Sequence, residues 1–176
     1  MKKMIALVLV LVMALSMVAC GGKGAASNKT PLAGTMEENV MKIIERCPVE
    51  FMGGTMPVDL ADTSEDGLWA LTYFTGLADA SKITDVAVYE PMMGSMAFSL
   101  VMVRVADAAN AKAVAEEMKA GIDTRKWICV EANEVMVAGY SDTVMFIMLD
   151  SQLGLKAQNF VDAFTGLCGA DLDFTI

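Results

Sequence analysis

The sequence predicts one α+β domain over residues 35–176, in which helices pack on an antiparallel sheet of about four strands arranged as two hairpins. Two observations lead to this fold class. Apolar residues recur at helical spacing in some segments and form short continuous or alternating runs in others. These runs come in pairs, 83–89 with 97–105 and 134–139 with 143–149, and the links within each pair are too short for the crossovers of a parallel sheet.

The first half of the domain contains two predicted helices. Thr35 and Glu38 have the spacing of a capping box, in which Thr35 caps a helix and Glu38 reaches back to it. An apolar stripe at helical spacing follows, and a proline ends the helix. Residues 48–62 look extended and irregular, and the apolar run 68–74 is typical of a short buried helix that ends at Gly76.

The second half supplies the sheet and two more helices. Both alternating faces of 97–105 are apolar, so we expect this strand to be central and covered on both sides. Asp107 is placed to cap a helix that runs to about residue 120, where Gly121 is expected to end it in the left-handed conformation. An apolar stripe over 155–167 predicts the closing helix.

The N-terminal segment has the pattern of an export signal. Two lysines follow Met1, and residues 4–19 are apolar apart from Ser16. A membrane-spanning helix needs roughly 20 apolar residues, so this run fits a signal peptide better than the alternative, a single transmembrane anchor. The end of the run, Met-Val-Ala-Cys at 17–20, resembles the lipobox of bacterial lipoproteins.

The lipobox resemblance implies an anchor and a location. In that family the signal peptide, here 1–19, is removed, and the cysteine, here Cys20, carries a diacylglycerol anchor with fatty chains such as palmitate. Each buried CH₂ contributes about 0.8 kcal/mol, so two long chains would hold this extracytoplasmic lipoprotein on the outer face of the cell membrane. A catalytic role for the Cys20 thiol is not expected, because the chain has no His and no Cys–His pair can form.

Residues 20–34 are small, polar and Gly-rich, which predicts a flexible tether with a root-mean-square span of ~20 Å.

The net charge limits which classes of partner are expected. Loss of 1–19 would remove two lysines and no acidic residue, and the net charge would fall from −9 to −11. Nucleic acid is therefore not expected as a partner, because its phosphates need Lys and Arg. An anionic membrane surface would repel the same domain.

Part of the predicted domain also resembles a known family. A Met-rich strand pair over 83–105, a helix from Asp107 with Trp127 shortly after it, and a hairpin over 134–149 are similar to a family of small Gram-positive lipoproteins known as a domain of unknown function. The resemblance implies a surface-anchored accessory protein. It assigns no active-site residue.

The motifs of several enzyme classes are missing from the chain. Without His there is no Ser-His-Asp triad, and the chain contains no S-x-x-K, G-x-S-x-G, phosphate-binding-loop or G-x-G-x-x-G sequence. Glu116 and Glu117 are adjacent on a predicted helix and point in different directions, and Glu131 and Glu134 flank a loop. We therefore expect a non-catalytic binding or interaction module that uses no cofactor and whose protein or small-molecule partner the sequence does not identify.

One alternative is a calcium site in a metal-handling lipoprotein. Asp62, Ser64 and Asp66 occupy positions 1, 3 and 5 of a calcium-binding loop. The bidentate Glu that such a loop requires at position 12 is replaced by Tyr73. The competing interpretation is a solvated turn that caps the following helix.

A second metal candidate is copper. Met92, Met93 and Met96 carry soft thioether sulfurs, which suit Cu(I). Because methionine also fills irregular gaps in cores, the competing interpretation is core or turn packing. The aromatic residues Trp69 and Tyr73, together with Phe74, have a similar ambiguity, as core residues or as a platform for a ligand.

Three cysteines remain besides Cys20, namely Cys47, Cys129 and Cys168. An odd number cannot pair fully, and their spacing matches no metal motif. The sequence leaves open whether two of them form a disulfide or all three are small apolar residues.

Overall fold

The computed structural model describes residues 29–176. The predicted signal peptide, Cys20 and most of the predicted tether lie outside these residues. The described elements are, in chain order, α1 (Met36–Arg46), β1 (Gly53–Met56), α2 (Glu65–Thr75), β2 (Ile83–Pro91), β3 (Phe98–Val105), α3 (Ala111–Gly121), β4 (Glu134–Tyr140), β5 (Thr143–Leu149), α4 (Ala157–Cys168) and β6 (Phe174–Thr175). Within 29–176, no helix combines the length and the apolar character that a membrane crossing requires.

The α+β class and the antiparallel sheet are confirmed, but the predicted number of strands is wrong. The sheet has six strands in the order β1-β2-β3-β5-β4-β6, and every neighbouring pair is antiparallel. The two predicted hairpins, β2–β3 and β4–β5, form its centre. The sequence missed the two edge strands because β1 begins with two glycines and has no apolar alternation, and β6 is only two residues long.

Helices cover both faces of the sheet. Leu100 and Met102 of β3 point to the core that contains α1 and α4, whereas Val101 and Val103 point to the core that contains α2 and α3. The predicted central strand with two apolar faces is therefore confirmed. In the described residues, neither face of β3 is left uncovered.

Local signals set most helix ends correctly. The capping box is present, because the Thr35 hydroxyl accepts the Glu38 N–H and the Glu38 carboxylate accepts the Thr35 N–H. Gly76 ends α2 in the left-handed conformation at φ 76°. The same expectation for Gly121 is wrong, because it is the last residue of α3 and an extended Ile122 follows it. Gly121 instead allows the Gly76 carbonyl to approach, and an added Cβ would lie 2.0 Å from that oxygen.

The two ends of the sheet differ in which other segments of the chain contact them. At one end, called here the tether end, Arg104 pairs with Thr143, next to the β4–β5 turn. The Arg104 guanidinium donates to the carbonyls of Leu32 and Gly34, each at 2.9 Å, and fixes the segment that the sequence assigned to the tether. Lys29 forms an ion pair with Asp173 at 2.8 Å on the same end. The chain therefore enters the domain here.

The opposite end, called here the far end, contains the β2–β3 loop, residues 92–97. Phe98 of β3 pairs with Leu149 of β5 at this end, six residues along β3 from Arg104. At about 3.4 Å per residue, the far end lies roughly 20 Å from the tether end along the strand.

Candidate functional site

The far end carries an exposed apolar surface. Seven large hydrophobic side chains are exposed in residues 29–176, and five of them belong to loops or a helix at the far end. We call these five the apolar platform; its members and their exposed fractions are Met52 (77%), Trp69 (62%), Met92 (65%), Met93 (55%) and Ile128 (72%).

Backbone contacts connect the loops that carry this platform. The Ile128 N–H donates to the Gly94 carbonyl at 2.9 Å, which joins residues 122–133 to the β2–β3 loop. The Met92 N–H donates to the Met52 carbonyl at 3.0 Å, which joins that loop to the start of β1. The exposed methionines and Ile128 therefore lie on neighbouring segments.

Trp69 joins the platform through an aromatic stack. Its ring stacks on that of Tyr73, one helical turn later, with the ring planes inclined by 23° and the ring centroids 4.8 Å apart. The Tyr73 hydroxyl donates to the Lys126 carbonyl at 3.4 Å, two residues before Ile128. One face of Trp69 is thus supported by Tyr73 while the side chain stays largely exposed. Of the two interpretations that the sequence left open, core residue or ligand platform, the exposure of Trp69 rules out the first for this residue.

A buried ion pair between Lys126 and Glu90 lies beside the Tyr73 ring of this stack. Lys126 Nζ lies 2.6 Å from Glu90 Oε1, and the two side chains are only 2% and 8% exposed. The ammonium also donates to the Tyr73 carbonyl at 3.2 Å and to the Ser99 hydroxyl at 3.4 Å. It lies 4.6 Å from the Tyr73 ring centroid, and two further rings, those of Phe74 and Trp127, lie within 5.3 Å.

Burial dominates the electrostatics of this pair. Desolvation lowers the pKa of Lys126, and the nearby Glu90 carboxylate opposes that shift. Burial raises the pKa of Tyr73, and the charges of Glu90 and Asp123 add to the rise. Glu90 Oε1 is buried and has no hydrogen bond of good geometry, so its compensation is the ammonium beside it. Lys126 thus holds together Glu90, the end of α2 and the start of β3.

No sequence pattern pointed to this ion pair. Lys126 lies in the polar stretch Asp-Thr-Arg-Lys, and Glu90 comes 36 positions earlier at the end of an apolar strand. A charged residue in either context is normally solvated. Only the packing of α2 and the 122–133 loop over β2 and β3 brings them together.

The two candidate metal sites have different surroundings. Met92 and Met93 are exposed in the turn between β2 and β3, and Met96 is half-buried. The Ser64 hydroxyl accepts the Gly67 N–H as the N-cap of α2, and Asp62 accepts the Ser64 N–H at 2.9 Å. The second set therefore forms a helix-capping turn, as the competing interpretation predicted. No cluster of three or more His, Cys, Asp or Glu residues suited to a metal ion occurs in residues 29–176.

The candidate carboxylates Glu131 and Glu134 contact different groups. Glu134 accepts the Ala157 N–H at 2.7 Å, at the start of α4. Glu131 pairs with Arg125 at 3.3 Å beside an open cavity of about 370 Å³ that is also lined by Trp127 and Cys129. Each of the two glutamates thus has its own partner.

The three cysteines in the described part of the chain are free thiols. Cys129 is exposed and has a positive φ of 63°, whereas Cys47 and Cys168 are half-buried against the core of α1 and α4. Burial raises the pKa of Cys47, and it raises the pKa of Cys168 to about 12.

Comparisons with protein-family models, with curated proteins and with solved structures found no match to this chain.

Proposed function

We propose that the chain is an extracytoplasmic lipoprotein, anchored to the outer face of the cell membrane through Cys20, that works as a non-catalytic binding module. The observation that carries the binding role is the apolar platform. Its five exposed fractions correspond to about three fully exposed side chains, or roughly 600 Å² at about 200 Å² each. Ordinary monomers have a largest apolar patch of roughly 300–600 Å², and such patches are often functional.

The placement of the platform supports this role. The chain enters the domain at the tether end, where Lys29 and Arg104 make their contacts, and the platform lies at the other end of the central strands. A domain anchored through Cys20 would present the platform most readily to a partner in front of the membrane. The acidic character of the chain favours the same orientation, because anionic lipids repel it.

The anchor is tested by Cys20→Ala in a bacterium that processes lipoproteins. We expect the wild-type chain to incorporate palmitate and to sediment with membranes, and Cys20→Ala to lose the label and keep the signal peptide. Cys129→Ala is the matched control and should keep the label, since Cys129 is an exposed cysteine outside the lipobox. A Cys20→Ala chain that is cleaved normally and still labelled would refute the anchor.

The metal-handling alternative makes a separate prediction. It requires the purified chain to retain Cu(I) at Met92, Met93 and Met96, or Ca²⁺ at Asp62 and its neighbours. Native mass spectrometry at micromolar metal distinguishes the two functions. A bound ion that is lost in Met92→Leu/Met93→Leu would favour metal handling over the binding module.

A further inference from the structure

We propose that the apolar platform binds a cationic amphipathic segment of another polypeptide. This proposal rests on the binding role proposed above and adds the chemistry of the partner.

The side chains of the platform favour a polypeptide as the partner. Three of its five members are methionines, whose unbranched, polarizable side chains adapt to ligands of varied shape. A site for a small polar ligand such as a sugar needs several fixed hydrogen-bonding side chains among its apolar ones. All five platform side chains are apolar apart from the indole N–H of Trp69, so the surface matches apolar anchors spaced along a helix.

The surroundings of the platform favour positive charge on that helix. Glu65 and Asp66 are exposed and precede Trp69 by one helical turn, and Glu50 is exposed two residues before Met52. Asp123 is exposed at the start of the 122–133 loop.

The two cations of residues 122–133 are paired. Arg125 forms an ion pair with Glu131 at 3.3 Å, and Lys126 is buried against Glu90. The four acidic residues named above outnumber the exposed Arg46 and Lys119, which lie four residues before Glu50 and Asp123. The segments around the platform are therefore negative on balance, and Lys or Arg on the polar face of a partner helix would be attracted to them.

Two other occupants fit less well. A second copy of the chain would bring two acidic domains together, since the net charge is −9 for the full sequence and lower without the leading lysines. An anchoring membrane would lie nearer the tether end, where the chain enters, whereas the platform lies roughly 20 Å away along β3. Neither objection applies to a separate cationic polypeptide.

The area of the platform indicates a transient complex. About 600 Å² on one partner corresponds to an interface near 1,200 Å² in total, at the lower limit of stable complexes and in the range of transient ones. A helix of about 18 residues is about 27 Å long and offers several apolar anchors on one face. We therefore expect dissociation constants in the micromolar range.

The test uses chain 20–176 with Cys20→Ser, to remove the lipid, and two labelled synthetic peptides. One is an amphipathic helix of about 18 residues built from Leu and Lys, and the other has Glu in place of every Lys. Fluorescence anisotropy should show micromolar binding of the Lys peptide, at least about tenfold weaker binding of the Glu peptide, and weakening of the Lys complex between about 0.15 M and 1 M salt.

Matched variants assign the binding to the platform. Met92→Ser/Met93→Ser and, separately, Trp69→Ser should each weaken binding of the Lys peptide by about tenfold or more. Met41→Ser is the apolar control, since Met41 is 40% exposed on α1, and Glu116→Gln is the charge control on α3. Both controls should bind as the parent chain does, and circular dichroism should show every variant folded.

Each contrary result has its own meaning. Equal loss in the Met41→Ser control, or no binding of either peptide, overturns the proposal. Binding of the Glu peptide through the platform overturns the positive charge of the partner and leaves the binding module intact. Concentration-dependent dimers, or binding to phosphatidylglycerol vesicles, that platform substitutions abolish would replace the polypeptide by a second copy or by the membrane.

Discussion

The substitution Lys126→Met tests whether the Lys126–Glu90 pair organises the far end of the sheet. Methionine is close to lysine in length and shape, so the change mainly removes the charge. It leaves Glu90 only 8% exposed with its Oε1 unpartnered. Breaking a buried pair in this way costs roughly 3–5 kcal/mol. At about 3 °C per kcal/mol for a domain of this size, we expect the melting temperature to fall by about 10–15 °C.

The reverse substitution should cost less. In Glu90→Met the ammonium keeps the Tyr73 carbonyl, the Ser99 hydroxyl and three aromatic rings, and its pKa is free to fall further. The double variant Lys126→Met/Glu90→Met removes both charges and should lie within about 1 kcal/mol of the wild type.

Urea denaturation of all four chains gives the coupling free energy between the two positions. A cost below about 1 kcal/mol for Lys126→Met would mean that water reaches the pair, and the reasoning above would be wrong. A double variant less stable than either single one would also refute it, because the pair would then contribute more than its mutual compensation.

Three further predictions concern glycines and thiols. Gly121→Ala should lower stability by about 1–3 kcal/mol in thermal unfolding, because the new Cβ would lie 2.0 Å from the Gly76 carbonyl oxygen. In the control Gly166→Ala in α4, the nearest atom to the new Cβ is a guanidinium nitrogen of Arg46 at 3.5 Å, so this change should be neutral or stabilising. Iodoacetamide should modify Cys129 in the folded chain well before Cys168, as peptide mapping will show, since Cys129 is exposed and Cys168 is half-buried. Burial raises the pKa of Cys168 to about 12 from an ordinary value of 9.0, so the thiol ionises at lower pH in the unfolded chain than in the folded one. The free energy of unfolding should therefore fall as the pH rises above about 9, by at most about 1 kcal/mol at pH 10 because Cys168 is partly exposed. The variant Cys168→Ser should lose this pH dependence.

The elements with strong local signals were predictable from the sequence. The capping box of Thr35 and Glu38 depends on residues only three positions apart. The two buried faces of β3 are visible in the apolar residues of that strand alone. The edge strands were not predictable, because β1 and β6 depend on a neighbouring strand rather than on their own side chains. The role of Gly121 was misassigned for a related reason. Its missing side chain serves a contact with Gly76, which lies 45 positions away.

The candidate site was less predictable than the fold. The sequence identifies Met92 and Met93 as copper ligands or packing residues, and Trp69 as a core residue or part of a ligand platform. It does not show that all three are exposed around the same end of the sheet. Exposure depends on which loops fold back over the strand ends, and Ile128 reaches the β2–β3 loop through a single backbone hydrogen bond. Periodicity describes faces of elements and carries no information about their ends.

The separation of the tether end and the platform follows from the antiparallel pairing of the strands. A β-hairpin returns the chain to the end from which it started, so the β4–β5 turn and the β2–β3 loop must lie at opposite ends once β3 pairs with β5. The segment at 29–34 is fixed at the first end by Arg104, and the exposed methionines are fixed at the second by the β2–β3 connection. Moving the platform toward the tether would require a different order of strands, whereas its affinity can change through the loop residues alone. Substitutions in residues 92–97 should therefore change the affinity of the platform without changing the contacts of residues 29–34 with the sheet. Substitutions at Arg104 should change those contacts and leave the affinity as it is.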